Sequence, residues 1–406
     1  MANIHYREIE GSSPGWWGLM ALFGALMLAG LGASWYMEHH GHVVTGMTNQ
    51  IVWGMPHVFA VFLIVAASGA LNVASIASVF GKKFYKPLAP LSGLLAMCLL
   101  TGGLVVLVLD LGRPDRLIVA MTHYNFKSIF AWNIILYNGF LGIVAAYLWT
   151  MMDVRMGGYS KLAGVTAFIW RLILTTGTGS IFGFLVARQA YDAALLAPMF
   201  IIMSFAYGLA IFVLVLMGSY RWTARPLGDA VLSRMRGLLA TFVSAVLYFV
   251  LVYHLTNLYI TEDHGVEAFI LLGRNGGMSY ALVFWLGWIV IGGVLPLVLL
   301  LTPALKASRQ ALIAASVLVI LGGLAAMYVV IIGGQAYPLQ IFPGMEVLSS
   351  GFQDGVPAQY APTLPEILLG LGGVAMALAA VTFALKVLRF LPESLEDAVV
   401  HPHHPA

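Results

Sequence analysis

The sequence predicts an all-α polytopic membrane protein with about ten transmembrane helices. Its apolar residues arrive in stretches of about 20 or more, the length at which a helix crosses a bilayer. Asp, Glu, Lys and Arg make up only 9% of 406 residues, against roughly 25% in soluble domains. Mean hydropathy is +0.92, with 61% hydrophobic residues. The net charge of +3 is spread over loops and implies no nucleic-acid partner.

The expected spans are 15–37, 52–80, 88–111, 129–151, 162–186, 195–218, 237–260, 279–301, 310–332 and 364–388. Residues 1–406 then form one membrane domain. It comprises an extra N-terminal helix and loop (15–51), a first four-helix bundle (52–186), a second (195–332), a long loop (333–363), a last helix (364–388) and a tail (389–406). The N-terminus lacks a basic leader and its first apolar run is long enough to span, so it reads as a retained helix. With the N-terminus cytoplasmic, 14 Lys and Arg fall on cytoplasmic segments and 5 on outer ones: Arg113, Arg116, Lys127, Arg188 and Arg274. The bias places both termini in the cytoplasm of a bacterial inner membrane.

An internal repeat supports two bundles. Ser92–Ala96 and Arg236–Ala240 open spans 3 and 7 with the same Gly-Leu-Leu-Ala text, at an offset that sets Asp110 opposite His254. Pro56 and Pro198 recur at a similar offset. Four helices return the chain to its starting side, so the repeat is parallel. Pro56, Pro198 and Pro296 are expected to kink their helices, and Gly179-xxx-Gly183 to offer a close-packing face. Trp16, Trp17, Trp35, Tyr36 and Trp149 sit where interfacial anchors belong. The loop 333–363 carries no Lys or Arg and is long enough to cover a docking surface.

Chemistry concentrates at residues 106–127, VLVLDLGRPDRLIVAMTHYNFK. An acid at the end of a membrane span is costly unless paired, so Asp110 is expected to pair with Arg113 or Arg116. Gly112 permits a sharp exit, and Pro114 pushes Arg113 out of helix. A helix end pinned by a salt bridge is the plainer account. Against it, His57, Asn133, Tyr137, His254 and Asn257 converge on the same membrane depth, with Glu38, His39, His40 and His42 beyond span 1. Only Arg171 lies nearer the other face. The set suggests a polar pocket opening toward the outer leaflet. The single Cys98 excludes intramolecular disulfides, cysteine-bound clusters and CxxCH haem within this chain. Electron transfer here would use a quinone, a His-ligated haem or a partner's metals. Neither the His cluster after span 1 nor the tail His401, His403 and His404 is expected to serve as a metal-ligand set.

LDLGRPDR followed by HYNFKSIFAWN resembles the signature of the NrfD/PsrC family of membrane subunits, as do Pro56-His57-Val58-Phe59, Ala67-Ser68-Gly69-Ala70 and Phe284-Trp285-Leu286-Gly287. Ten spans resemble the longer branch that includes the hydrogenase subunit HybB and the sulfur-metabolism subunit DsrP. The text from Gly46 to Phe140 looks most like the latter. The resemblance implies two four-helix bundles with extra helices, exchange of electrons with the quinone pool, and an iron–sulfur (ferredoxin-like) subunit on the outer face, with cytochrome or other membrane subunits as further partners. It implies that His57 binds quinone, menaquinone or ubiquinone. The family's usual Asn one turn earlier is Gly54 here, and its Ser-Pro before span 4 is Asn125-Phe126-Lys127-Ser128.

The resulting expectation is a quinone-reactive electron-transfer subunit of an oxidoreductase complex. His57 bonds a ring oxygen, Asp110 relays protons, Arg113 holds its charge, and His123, Tyr137, Asn133, Arg116 and His254 contribute to the pocket. Two alternatives stand beside it. One is a haem b protein with His57 and His254 as axial ligands. The other is a proton or ion translocator using Asp110, His254 and Arg171.

Overall fold

The computed structural model describes residues 4–11, 13–338 and 356–400. Ten helices among them are long and apolar enough to cross a membrane: α1 Pro14–His40, α2 Met55–Ser78, α3 Lys83–Leu109, α4 Ile129–Met152, α5 Val154–Gly183, α6 Leu196–Trp222, α7 Asp229–Tyr259, α8 Met278–Leu301, α9 Arg309–Ala336 and α10 Leu364–Val387. The chain is a multi-pass integral membrane protein. The expected spans differ mainly at the ends. Helix α7 starts at Asp229 rather than 237, because hydropathy marks only the part immersed in hydrocarbon. The extra turns carry Arg236, whose guanidinium donates to Leu299 O (3.1 Å) and Ser308 O (2.6 Å) at the α8 end.

Helices α2, α3, α4 and α5 pack in sequence, and α5 returns onto α2 to close a ring. Helices α6 to α9 do the same, with α9 returning onto α6. The rings meet through α2 on α6, α5 on α6 and α9 on α2, a pattern that survives exchange of one ring for the other. The small patch Ala67–Ala70 is explained there: a Cβ on Gly69 would strike Ser204 O, and one on Gly208 would strike Ala70 N. Without a hydrophobic drive between helices in lipid, such close approach is what binds them. Gly179 likewise lets α5 reach the start of α6, where a Cβ would sit 2.7 Å from Ala197 Cα. Helix α10 packs on α1, α3 and α2, crossing α1 where Gly30 meets Gly372.

Two proline expectations are corrected. Pro56 and Pro198 lie in the first turns of α2 and α6 and open those helices instead of kinking them. The first turn has no intrahelical acceptor for its N–H groups, so proline loses nothing there. Pro296 follows a π-helical stretch, Val283–Val294, inside α8.

Both chain ends lie at one face, here called the terminal face. Tyr6–Arg7 pairs antiparallel with Leu391–Pro392, the only sheet among the described residues. Arg225 fastens this ribbon by donating to Arg7 O (3.0 Å), Glu8 O (2.7 Å) and Leu391 O (3.3 Å). The tail histidines 401, 403 and 404 and residues 339–355 of the long loop lie outside the described residues.

Candidate functional site

At the face opposite the chain ends, α2 and α4 begin and α3 finishes. The start of α2 is fixed by a buried clamp. Glu366 is fully buried at the head of α10. Its Oε2 accepts from Gly46 N (3.0 Å), Thr363 N (2.8 Å) and Thr363 Oγ1 (2.8 Å), and its Oε1 accepts from Tyr360 Oη (2.6 Å). Tyr360 Oη in turn accepts from Met55 N (2.7 Å). A Cβ on Gly54 would stand 2.8 Å from Met47 Cγ, 2.9 Å from Tyr360 Oη and closer still to Glu366 Oε1. Glycine at this position is therefore required by the clamp. From the α9 end, Gln335 Oε1 accepts from Val52 N and Trp53 N, and its Nε2 donates to Trp53 O.

This anchored entry presents His57. Its Nδ1 lies 3.0 Å from Oδ2 of Asp110, the residue that ends α3, whose side chain is 1% exposed against 24% for the imidazole. The approach is not aligned as a hydrogen bond, and neither Asp110 oxygen has another partner. A buried carboxylate with one imidazole neighbour and no other donor depends on that imidazole as its electrostatic partner, because an unpaired charge in this setting is costly. Trp53 stacks on His57 (6.2 Å between centroids, 28°) and is wedged between Phe130 and Phe182 (6.0 and 5.8 Å). The site is thus an acid–imidazole pair under an aromatic wall, with the imidazole reachable from outside.

The expected partner of Asp110 is corrected. Arg113 turns away to Asp115 (3.2 Å), both exposed, and holds the Asp115 carboxyl below the ordinary carboxylate range. The exit at Leu111–Pro114 sends the arginine into the solvated loop, where its charge is not desolvated. Arg116 is exposed on the same loop. His123 is also exposed, its Nδ1 3.0 Å from Thr122 Oγ1. Asn133 is buried one turn beyond Phe130, donating to Gly177 O of α5 (3.1 Å), and its Oδ1 is unpartnered. Tyr137 lies a further turn in, beside Thr178. His254 belongs to the other ring, where its Nδ1 meets Glu267 Oε2 at 2.7 Å. Its Nε2 is buried without a partner.

Sequence reasoning missed Trp53, Glu366, Tyr360, Gln335 and Glu267. One signal was available for Glu267: a lone acid inside the apolar run Gly265–Leu272. Arg188, counted among the outer basic residues, works locally by donating to Gln335 O and Gln50 O.

Ten spans and a buried acid–imidazole pair at a bundle mouth define a polytopic membrane protein with a polar site at one face. The chain belongs to the NrfD family, whose model, described as "Polysulphide reductase, NrfD", matches residues 43–338. It is 27% identical over 399 residues to an Hdr-like menaquinol oxidoreductase integral membrane subunit of Archaeoglobus fulgidus, covering 98% of this chain and 99% of that one. It is 28% identical to a putative dimethyl sulfoxide reductase membrane subunit of Halobacterium salinarum, covering 93% and 91%. It is 24% identical to a selenate reductase subunit of Mesobacillus selenatarsenatis, covering 90% and 91%.

Proposed function

We propose that this chain is the quinone-reactive membrane subunit of a multi-subunit oxidoreductase, with the quinone ring held at His57. The observation that carries the reading is the His57–Asp110 pair. Family membership supports it, as does a full-length relative named as a menaquinol oxidoreductase subunit. The quinone supplies two-electron chemistry that must be matched by protons at its ring oxygens. His57 offers Nε2 for a hydrogen bond to one ring oxygen, while Nδ1 faces Asp110. Protonation at Nε2 gives an imidazolium beside the Asp110 carboxylate, so uptake of the proton neutralises a buried charge instead of creating one. Trp53 and Phe130 supply apolar faces on which a planar ring can lie and exclude water from one side of the imidazole.

In this reading menaquinone suits the site by analogy to that relative's name. Electrons pass to or from an iron–sulfur subunit at the face of His57, because the single cysteine leaves this chain without thiolate cluster ligands. The excess of basic residues on the opposite side supports cytoplasmic chain ends and a site near the outer face of an inner membrane. Arg113, Arg116 and Lys127 stand exposed beside the site and suit an acidic docking surface on that partner. A bis-histidine haem is less well supported, since His57 and His254 are each held by a carboxylate in separate rings.

Quinone extraction with an optical spectrum, on purified wild type beside His57→Ala, tests the reading. Bound quinone without a Soret band, lost in the variant, is expected. A Soret band lost in the variant would make His57 a haem ligand, and neither cofactor in the wild type would return the translocator reading.

A further inference from the structure

The second ring carries a polar site of its own, in the place corresponding to the first. The offset between Pro56 and Pro198 maps His57 onto Met199, and the offset between the openings of α3 and α7 maps Asp110 onto His254. Met199 and His254 line one cavity of about 30 Å³ enclosed by α6, α7, α8, α9 and the short helix His264–Leu272. That volume suits one or two waters. It falls far below the roughly 150 Å³ of a cavity that takes up benzene, so a quinone ring does not fit. Val266, Glu267 and Ile270 of the short helix form part of the cavity wall.

Two buried nitrogens at this cavity have no partner: His254 Nε2 and Trp288 Nε1. An orphaned donor and an orphaned imidazole nitrogen beside a water-sized space are what a bound water satisfies. The opposite edge of the imidazole is fully committed. Nδ1 contacts Glu267 Oε2, and Glu267 Oε1 accepts from Asn257 Nδ2 at 2.9 Å. Phe284 packs edge-on against the ring at 4.8 Å between centroids. The helices are wound wide here as well. The π-helical stretch Val283–Val294 supplies Phe284 and Trp288, and a second, Val329–Gly333, supplies Val329 and Val330 to the same cavity. Such turns forgo regular helical geometry, and they recur where a site must be shaped.

We propose that His254, Glu267 and Trp288, with water in this cavity, form a proton-holding site in the second ring. With the Glu267 carboxylate accepting at Nδ1, the neutral imidazole carries its hydrogen there and presents a lone pair at Nε2. The water accepts from Trp288 Nε1–H and donates to that lone pair. When a proton arrives through the water, Nε2–H forms, the water becomes an acceptor from both nitrogens, and the imidazolium pairs with Glu267. No bond other than N–H and O–H forms or breaks. The pair goes from one net negative charge to none, so the loaded state is the better tolerated in this buried place.

The charged surroundings favour exchange through the short helix. Among the cavity-lining residues of α6, α8 and α9 there is no charged side chain, and α7 adds only Tyr253, whose hydroxyl donates to Ala190 O at 3.2 Å. Asp263, one turn before Glu267, is half-buried. Burial raises its carboxyl above the ordinary range, and the charges of Glu267, Glu262 and Asp192 raise it further, with His264 opposing. Asp263, at the start of the short helix that carries Glu267, is thus a carboxyl that holds its proton more firmly than an ordinary one. The proposal needs no quinone and is independent of the function assigned to His57.

The test is ¹⁵N-histidine NMR of the protein in lipid nanodiscs, the His254 signals being those missing from His254→Gln. In a titration run from about pH 9 to about pH 5, the proton of the neutral wild-type ring should be found on Nδ1 and the added proton on Nε2. Glu267→Gln, whose amide can donate to Nδ1, should move the neutral proton to Nε2. Trp288→Phe keeps the packing and removes one N–H, so it should shift the Nε2 signal and leave Nδ1 alone. A ring fixed in one state across that pH range overturns the proposal. So does an unchanged tautomer in Glu267→Gln or an unmoved Nε2 signal in Trp288→Phe.

Discussion

Replacing Asp110 with Asn removes one charge and almost no volume from the site at the mouth of the first ring. Two unit charges 4 Å apart interact by about 4 kcal/mol at an effective dielectric of 20, which scales to about 5 kcal/mol at the His57–Asp110 separation of 3.0 Å. The imidazole is 24% exposed, so headgroup water screens part of this, and about 3 kcal/mol is a working figure for the lost support of a protonated His57. At 1.36 kcal/mol per decade that is roughly a hundredfold, within the range of general acid–base contributions. Quinol-analogue oxidation in membranes carrying the chain with its native partners should fall by about that factor in Asp110→Asn. Assembly should persist, since an amide leaves no unpaired charge behind. Asp115→Asn is the control: it unpairs the exposed Arg113 and should change turnover by less than about twofold, as surface ion pairs contribute little. Turnover within about threefold of wild type in Asp110→Asn would refute the acid–imidazole mechanism. A collapse in Asp115→Asn would return Arg113 to the site.

Gly54→Ala should lower the thermal midpoint in detergent by the equivalent of about 1–3 kcal/mol, because its Cβ collides with the Glu366 clamp; an unchanged melt would show that the clamp yields freely. Arg171, fully buried on α5, donates to Asn72 Oδ1 (2.8 Å) and Ser68 O (3.3 Å), with no carboxylate among its hydrogen-bond or ion-pair partners in the described residues. Removing the acceptor with Asn72→Leu should cost about 1.5–3 kcal/mol, whereas Arg171→Met should be closer to neutral, and the reverse order by scanning fluorimetry would contradict this. The Asp263 carboxyl, raised chiefly by burial, binds protons more readily folded than unfolded. Stability from this group therefore falls as pH rises above its ordinary range, and Asp263→Asn should raise the melting temperature at neutral pH but not at about pH 4. Equal gains at both pH values would remove the acid as the cause.

Apolar stretch length alone placed all ten spans, because immersion in lipid makes hydropathy nearly sufficient for helix position. His57 and Asp110 were each legible as polar residues at one depth. Their pairing was not, since sequence proximity favoured Arg113 and gave no account of which way the Gly112–Pro114 exit points. Glu366 and Gln335 escaped notice because their partners lie far away in the chain: Glu366 meets Gly46, and Gln335 meets Trp53. The repeat was visible in four shared residues of α3 and α7. It could not announce that Glu267, from a connecting helix, would take the place opposite His254. Hydropathy reads which segments are immersed, whereas the sites were built from the connections between them.

Of the ten spans, α1 leaves the ribosome first and α10 last, yet they are each other's neighbours, and α10 also carries Glu366. While the middle of the chain is being made, α1 must wait in the bilayer, and the residues before His57 lack the clamp that sets their course. Only when the tenth span inserts does Tyr360–Glu366 draw Gly46 and Met55 into place. A nascent or truncated chain would hold most of the architecture with the entry to α2 unfinished. Synthesis order thus leaves the course of the segment before His57 unset until Glu366 arrives to fix it.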